Sequence, residues 1–165
     1  MTSFQQVYEE YARPVYKFLL SLAANEDLAE ELLSETFYSA LKNIDKFEGR
    51  CSMYTWLCQI GKNLWLKECR MNKKIREMGS LVILTDRSEA CVEDTFVKEE
   101  TYRTILEIIR TMDEVYRDVF ILHAVGGVKL KEIAAIYEKS ESWARVTFYR
   151  AKEKLKERMK RGNEL

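Results

Sequence analysis

Apolar residues recur at helical spacing along most of the chain. Phe4, Val7, Tyr8, Tyr11, Val15, Phe18, Leu19 and Leu22 line one side of a first helix. Pro14, the only proline, falls inside it and is expected to kink or divide it, because it lacks the amide a helix interior uses. Asn25 is placed to cap a second helix, with Glu26 and Asp27 in its first turn. That helix runs to about Ile44, and Leu28, Leu32, Thr36, Ser39 and Ala40 alternate with Glu30, Glu31 and Glu35, giving an apolar side and an acidic side. Phe47-Glu48-Gly49-Arg50-Cys51 breaks the period, with Gly49 as the turn residue. A third helix opens at Ser52 and carries SMYTWLCQIGKNLWLKECRMNKKIRE. From Gly79 to Thr95 no helical period is sustained, which predicts a linker in which Leu81 to Leu84 forms a short strand or a docking segment.

The period resumes through Val97, Thr101, Ile105, Ile108 and Ile109 over Phe96 to Met112. Asp113 is placed to cap a helix over Glu114 to Val125, which Gly126-Gly127 ends. Leu130, Ile133, Ala134 and Tyr137 then mark a short helix, and Glu138-Lys139-Ser140 interrupts it. Ala144, Phe148, Ala151 and Leu155 follow as one stripe spaced 4, 3 and 4. Ser140 is the natural N-cap of this last helix, whose opposite face carries Arg145, Arg150, Lys152, Lys154, Lys156 and Arg158. A short helix, a tight turn and a longer basic helix make a helix-turn-helix. With no strand-rich region and no internal repeat, the chain is expected to be all-α. Two small helical domains, residues 1–78 and 98–165, are expected to be joined by a flexible linker at 79–97.

Charge changes the picture. The chain carries 27 basic and 27 acidic side chains and a formal net charge of zero, but in blocks. Asn25 to Glu48 holds seven acids against two bases, Gly61 to Arg76 six bases against one acid, Glu77 to Thr101 seven acids against two bases, and Lys139 to Leu165 nine bases against four acids. Two basic faces separated by acidic ones suit two contacts with a polyanion and acidic surfaces for another partner. In the third helix the aromatic residues Tyr54, Trp56 and Trp65 interleave with Lys62, Lys67, Arg70, Lys73 and Lys74. Bases of a single strand stack on such rings while cations follow the phosphates. Trp56 and Leu57 are expected to be core or half-core, with the basic side as the functional face.

Four cysteines, Cys51, Cys58, Cys69 and Cys91, have no CxxC spacing, and His123 is the only histidine. That argues against a zinc site or a disulfide framework and for thiols in a reducing cytoplasm. Cys51 and Cys58 are seven residues apart, roughly 10 Å along a helix, too far for a disulfide redox switch without rearrangement. The N-terminus has no early basic region and no apolar run long enough to span a bilayer, so neither a signal peptide nor a membrane segment is expected. No nucleophile-base pair, metal set or phosphate loop appears, and neither a catalytic activity nor a cofactor or metal is expected; His123 reads as structural.

Three segments resemble one family. Asp27-Leu28-Ala29-Glu30-Glu31-Leu32-Leu33-Ser34-Glu35-Thr36-Phe37 is similar to D-A-E-(E/D)-(L/I)-x-Q-E-(T/A)-F. FEGRCSMYTWLCQIGKN, Phe47 to Asn63, is similar to F-x-G-x-x-x-(F/x)-x-x-W-L-x-x-I-A-x-N. Met112 to Leu155 resembles a segment that begins L-P-x-x-x-R and continues through G-x-(S/T)-x-x-E-I-A to a serine-capped recognition helix. In this order and spacing they resemble the extracytoplasmic-function (ECF) sigma factors, small members of the σ70 family that keep only regions 2 and 4. Four positions depart from the pattern: Ser34 for a glutamine, Asp113 for a proline, Tyr137-Glu138-Lys139-Ser140 for L-G-I-S, and Val146 for a serine. The last two bear on which promoter bases are read.

The resemblance implies a factor that binds core RNA polymerase and directs it to promoter DNA. The acidic helix would dock on a coiled coil of the largest polymerase subunit through Glu30, Glu31, Ser34, Glu35 and Phe37. Phe47, Arg50, Ser52, Tyr54 and Asn63 would capture a flipped base of the −10 element, while Lys62, Lys67, Arg70 and Lys73 hold phosphates. Ser142 to Lys154 would lie in the major groove of the −35 element, with Arg145, Tyr149 and Arg150 at or beside base edges and Val146 on the same face. Thr147 and Lys154 would touch phosphate, and Trp143 would either stack on sugar–phosphate or cover the turn. An anti-sigma protein is a further partner class that the resemblance allows. A different class of function, an autonomous helix-turn-helix regulator, would leave the Trp56 to Asn63 segment without a role.

Overall fold

The computed structural model describes residues 3–71 and 92–163, and side chains within these except at 92–99 and 163. Every regular element among them is helical. Helix α1 spans Phe4–Ala23, α2 Glu26–Lys42 and α3 Met53–Met71, with a 3₁₀ turn at Ile44–Lys46 between the last two. The expected linker residues 79–91, the Leu81 to Leu84 segment, Lys73, Lys74 and Cys91 lie outside the described residues. Helix α4 spans Val92–Arg110, so the helix begins six positions before the expected domain start at 98. Helices α5 (Glu114–Phe120), α6 (Leu130–Ile136) and α7 (Glu141–Asn163) complete the chain.

Local chemistry sets the ends of these helices. Ser3 and Gln6 form a reciprocal capping box at the start of α1. Asn25 Oδ1 accepts from the Leu28 amide at 3.2 Å, and Ser140 Oγ accepts from the Trp143 amide at 3.1 Å. Asp113 stands at the N-cap position of α5 without a side-chain cap bond. Pro14 does not divide α1, which runs unbroken through it. The proline is itself exposed, while Val7, Val15, Phe18, Leu19 and Leu22 are buried. Burial of that stripe outweighs one missing backbone bond.

Helices α1, α2 and α3 each pack on the other two. Their shared core is Val15, Leu19, Leu22, Ala29, Leu32, Ala40, Leu57 and Trp65. Leu57 is fully buried and Trp56 half-buried, as the aromatic pattern of α3 predicts. Gly61 lets α3 pass close to its neighbours, since a Cβ there would lie 2.9 Å from Leu19 Cδ2 and 3.2 Å from Thr36 Oγ1. In the second lobe α7 packs on α4, α5 and α6, around Leu106, Ile109, Val119, Ile121, Ile133, Ala144 and Ala151.

The expected single helix over 114–125 instead changes pitch. After Phe120 the backbone becomes a π turn at Ile121–Val125. The Gly126 amide bonds to the Ile121 carbonyl at 3.0 Å and the Val128 amide to the Leu122 carbonyl at 2.9 Å. Gly127, at φ +70°, uses the freedom glycine has in the left-handed region to send the chain into α6. This turn packs against α1 and α3 and joins the two lobes. Gly126 sits where a Cβ would be 3.3 Å from the Phe18 ring of α1.

Candidate nucleic-acid interface

Three faces carry the charged and aromatic residues that the sequence singles out. On α2, Glu30, Glu31, Ser34 and Glu35 are exposed on one side. Phe37 is instead 5% exposed, edge-on to Tyr8 at 4.9 Å and Phe4 at 6.2 Å. Two residues that the acidic pattern concealed extend the acidic face: Tyr38 is 64% and Leu41 50% exposed. Their signal in the sequence is that they are apolar yet lie off the buried stripe of Leu32, Thr36 and Ala40. Lys42 Nζ stands 5.2 Å from the Tyr38 ring.

The second face surrounds the start of α3. Gly49, at φ +74°, turns the chain there. Phe47 packs on Trp56 with ring centroids 5.1 Å apart, so the loop is anchored to the helix. Ser52 Oγ accepts from the Thr55 amide at 3.2 Å and caps α3. Asn63, Lys67 and Arg70 are exposed further along. Lys62 is not with them. It is 4% exposed, and its Nζ lies 3.1 Å from Asp118 Oδ2 on α5. Burial holds the Lys62 ammonium below the ordinary lysine range, opposed by the Asp118 charge. The expectation that Lys62 is a free phosphate cation is therefore not met in this arrangement, because the second lobe covers it.

Other contacts from the second lobe converge on the same loop. Glu132 accepts from the Ser52 amide at 3.2 Å through Oε1 and from the Thr55 hydroxyl at 2.8 Å through Oε2. The Tyr54 hydroxyl donates to the Gly126 carbonyl at 2.8 Å. Arg50 bridges Glu48 at 2.8 Å and Glu138 at 2.7 Å. Glu138 has φ +55°, the left-handed conformation, at the position where the resembled turn has glycine; holding a residue with a Cβ there costs about 1–2 kcal/mol.

The third face is α7. Ser142, Arg145, Val146, Tyr149, Arg150 and Lys154 are exposed together, with Val146 at 47% and Tyr149 at 62%. Arg145 pairs with Glu141 one turn back at 2.9 Å, both well exposed, a bond that water and salt weaken to a small net value. Lys154 Nζ lies 5.1 Å from the Tyr116 ring. Trp143 packs against Tyr137 across the turn, with centroids 5.4 Å apart. Thr147 is 6% exposed and faces the interior, which corrects its expected place on phosphate: it follows Ala144 by three positions and so falls on the buried stripe. His123 Nδ1 lies 2.8 Å from the Val128 carbonyl and its ring is edge-on to Phe148 at 4.5 Å, which makes it a brace for the helix-turn-helix.

Burial dominates the setting of Cys58 and Cys51. Cys58 is buried and its pKa is pushed up to about 12 by that burial. Burial, and then the nearby Glu132 charge, raise the Cys51 thiol. Among the described residues no group of three or more His, Cys, Asp or Glu side chains is arranged to hold a metal ion, and no helix is long and apolar enough to cross a membrane.

Comparison with known proteins gives two family matches in chain order: Sigma-70 region 2 over residues 7–75 and Sigma-70, region 4 over residues 102–155. The chain is 27% identical to the ECF RNA polymerase sigma factor SigM of Bacillus subtilis over 160 residues, 97% of each protein. It is 28% identical to the ECF sigma factor SigX of the same organism, over 95% of this chain and 84% of that one. Two solved structures share the fold. One is CnrH in complex with the cytosolic domain of CnrY, at TM-score 0.57 and 18% identity over 95% of this chain and 87% of that one. The other is the sigma factor RpoE in complex with the anti-sigma factor NepR from Bartonella quintana, at TM-score 0.55 and 20% identity over 97% and 98%.

Proposed function

The chain belongs to the σ70 family of RNA polymerase sigma factors, in its extracytoplasmic-function group, and we propose how its three faces divide the work. Residues 1–78 form the lobe that holds polymerase and the −10 element, and residues 98–165 the lobe that holds the −35 element. The acidic face of α2 docks on core polymerase through Glu30, Glu31, Ser34 and Glu35, with exposed Tyr38 and Leu41 giving the contact an apolar centre. Buried Phe37 supports this face from beneath.

The loop from Phe47 and the start of α3 capture an unstacked base of the −10 element, and Lys67 and Arg70 hold the strand's phosphates. Helix α7 enters the major groove of the −35 element. Arg145, Tyr149 and Arg150 read or border base edges, Ser142 and Lys154 hold backbone, and Val146 makes the apolar contact. Trp143 covers the turn. The factor contributes binding and DNA opening, carries out no covalent chemistry, and works in the cytoplasm with the polymerase. An anti-sigma protein that seats on these faces would compete with polymerase and DNA.

The observation that carries this reading is the joint exposure of Arg145, Val146, Tyr149 and Arg150 on one side of a helix capped by Ser140, on the same chain as the aromatic and basic α3. The test is run-off transcription with purified core polymerase on a library of upstream sequences, comparing the protein with an Arg145→Ala/Arg150→Ala variant. Discrete start sites behind a shared −35/−10 pair, weakened in the variant, are expected. No core-dependent initiation on any sequence, with duplex binding intact, would instead make the protein an autonomous helix-turn-helix regulator.

A further inference from the structure

Two apolar side chains stand on the outer face of α7. Val146 and Tyr149 lie one turn apart, 47% and 62% exposed, and neither belongs to the buried stripe of Ala144, Thr147, Ala151 and Leu155. Exposed Ser142 lies one turn back from Val146, Arg150 one turn on and Arg145 beside it. Arg145 is held by Glu141 at 2.9 Å, which draws its guanidinium toward the start of the helix. An uncovered isopropyl group among cations suits a ligand that is anionic around it and apolar at one point. The major groove of duplex DNA has that character, with phosphates on its flanks and the thymine methyl group on its floor. We infer that Val146 packs on the 5-methyl group of a thymine in the −35 element and makes that base a requirement of the promoter.

The chemistry of the groove selects the base. Guanine presents two acceptors there, cytosine an amino donor, adenine one of each, and thymine alone adds a methyl group. A valine side chain has no donor or acceptor. Seated on any polar edge it would strip water from that edge and return no hydrogen bond, whereas on a methyl group it removes apolar surface from water on both sides. The helix delivers this group in a fixed pose. Thr147 at 6% exposure and Ala144 and Ala151 at 0% set the roll of α7 about its axis, and a β-branched side chain keeps one χ1 rotamer in a helix. Val146 lies in the second turn of α7, and recognition helices turn their N-terminal residues to base edges. Tyr149 differs from it, because its hydroxyl can serve a polar edge or a phosphate.

This inference rests on the assignment of α7 to the −35 element, and the test separates the two. Holoenzyme assembled from the full-length chain and core polymerase is used with the promoter that the run-off selection recovers. Each thymine of its −35 element, on either strand, is replaced in turn by deoxyuridine, which removes the methyl group and leaves every hydrogen-bonding atom in place. Promoter affinity is read by competition against the unmodified duplex. One replacement is expected to weaken binding roughly three- to fivefold, the effect of one methyl group buried on an apolar side chain. In a Val146→Ser protein the same replacement should have no effect, since serine at this exposed position offers no methyl group; in a Tyr149→Ser protein the penalty should persist. A selected −35 element in which no thymine responds to deoxyuridine overturns the inference and leaves the −35 assignment standing. A penalty that survives Val146→Ser, or that vanishes in Tyr149→Ser alone, gives the methyl group to another side chain and overturns it too. A selection that enriches no −35 sequence overturns the assignment of α7 itself, and the inference with it.

Discussion

Gly126→Ala tests the joint between the lobes. A Cβ at this position would lie 2.8 Å from the Leu122 carbonyl oxygen and 3.3 and 3.4 Å from Phe18 Cε2 and Cδ2. The first contact is with backbone and cannot be relieved by a rotamer change. That oxygen accepts the Val128 amide at 2.9 Å, so moving it aside disturbs the bond that closes the turn into α6. Overpacking costs about 1–3 kcal/mol, and weakening the turn bond adds up to about 1 kcal/mol. Since φ is −84° and ψ −14° at Gly126, alanine is allowed there, and its smaller unfolded-state entropy returns about 0.4–1 kcal/mol. The net is a loss of about 2 kcal/mol, which for a chain of this size lowers Tm by about 4–8 °C. Thermal unfolding by circular dichroism measures it. A Phe18→Leu/Gly126→Ala cycle then separates the two contacts: if the carbonyl dominates, trimming the ring recovers little of the loss. A Gly126→Ala protein as stable as the parent would refute the reasoning, because the π turn would then not hold the Leu122 carbonyl at this spacing.

Lys67→Gln/Arg70→Gln should lower the slope of log affinity against log salt for single-stranded DNA by about 1.4, at about 0.7 for each phosphate no longer neutralised; an unchanged slope would remove both from the phosphate track. Cys58 should be alkylated by iodoacetamide at pH 8 at least about 100-fold more slowly in the native protein than in urea, because a thiol pushed up to about 12 holds almost no thiolate there. Equal rates, read by mass spectrometry, would mean that Cys58 is not buried as described.

What the sequence made legible was local. Asn25 and Ser140 are caps because a side-chain oxygen can reach an amide three residues ahead, a fact of short-range geometry. The Ala144, Phe148, Ala151, Leu155 stripe likewise needs no knowledge of what it packs on. Two misjudged positions carried a usable signal. Thr147 falls on that buried stripe, three after Ala144. Lys62 falls on the buried stripe of Cys58, Trp65, Leu66 and Cys69, spaced four and then three. A cation on an apolar stripe is tolerated only opposite an acid, so Lys62 implied a carboxylate partner, although nothing within the pattern of α3 says which. The continuity of α1 through Pro14 and the π turn were not legible, since both depend on burial against other helices that local propensity does not contain.

The partner of Lys62 was out of reach because it lies on another element, 56 positions along the chain, beyond the stretch from Gly79 to Thr95 in which no period is sustained. The same holds for Ser52 with Glu132 and Arg50 with Glu138, 80 and 88 positions apart. Yet the charge blocks carried a trace of this pairing. Here the lobe with basic α7 also carries Asp118, Glu132 and Glu138, all directed at the first lobe. Cations of the first lobe and carboxylates of the second pair across the fold, so the net charge of zero conceals an arrangement that depends on three-dimensional packing rather than on any local pattern.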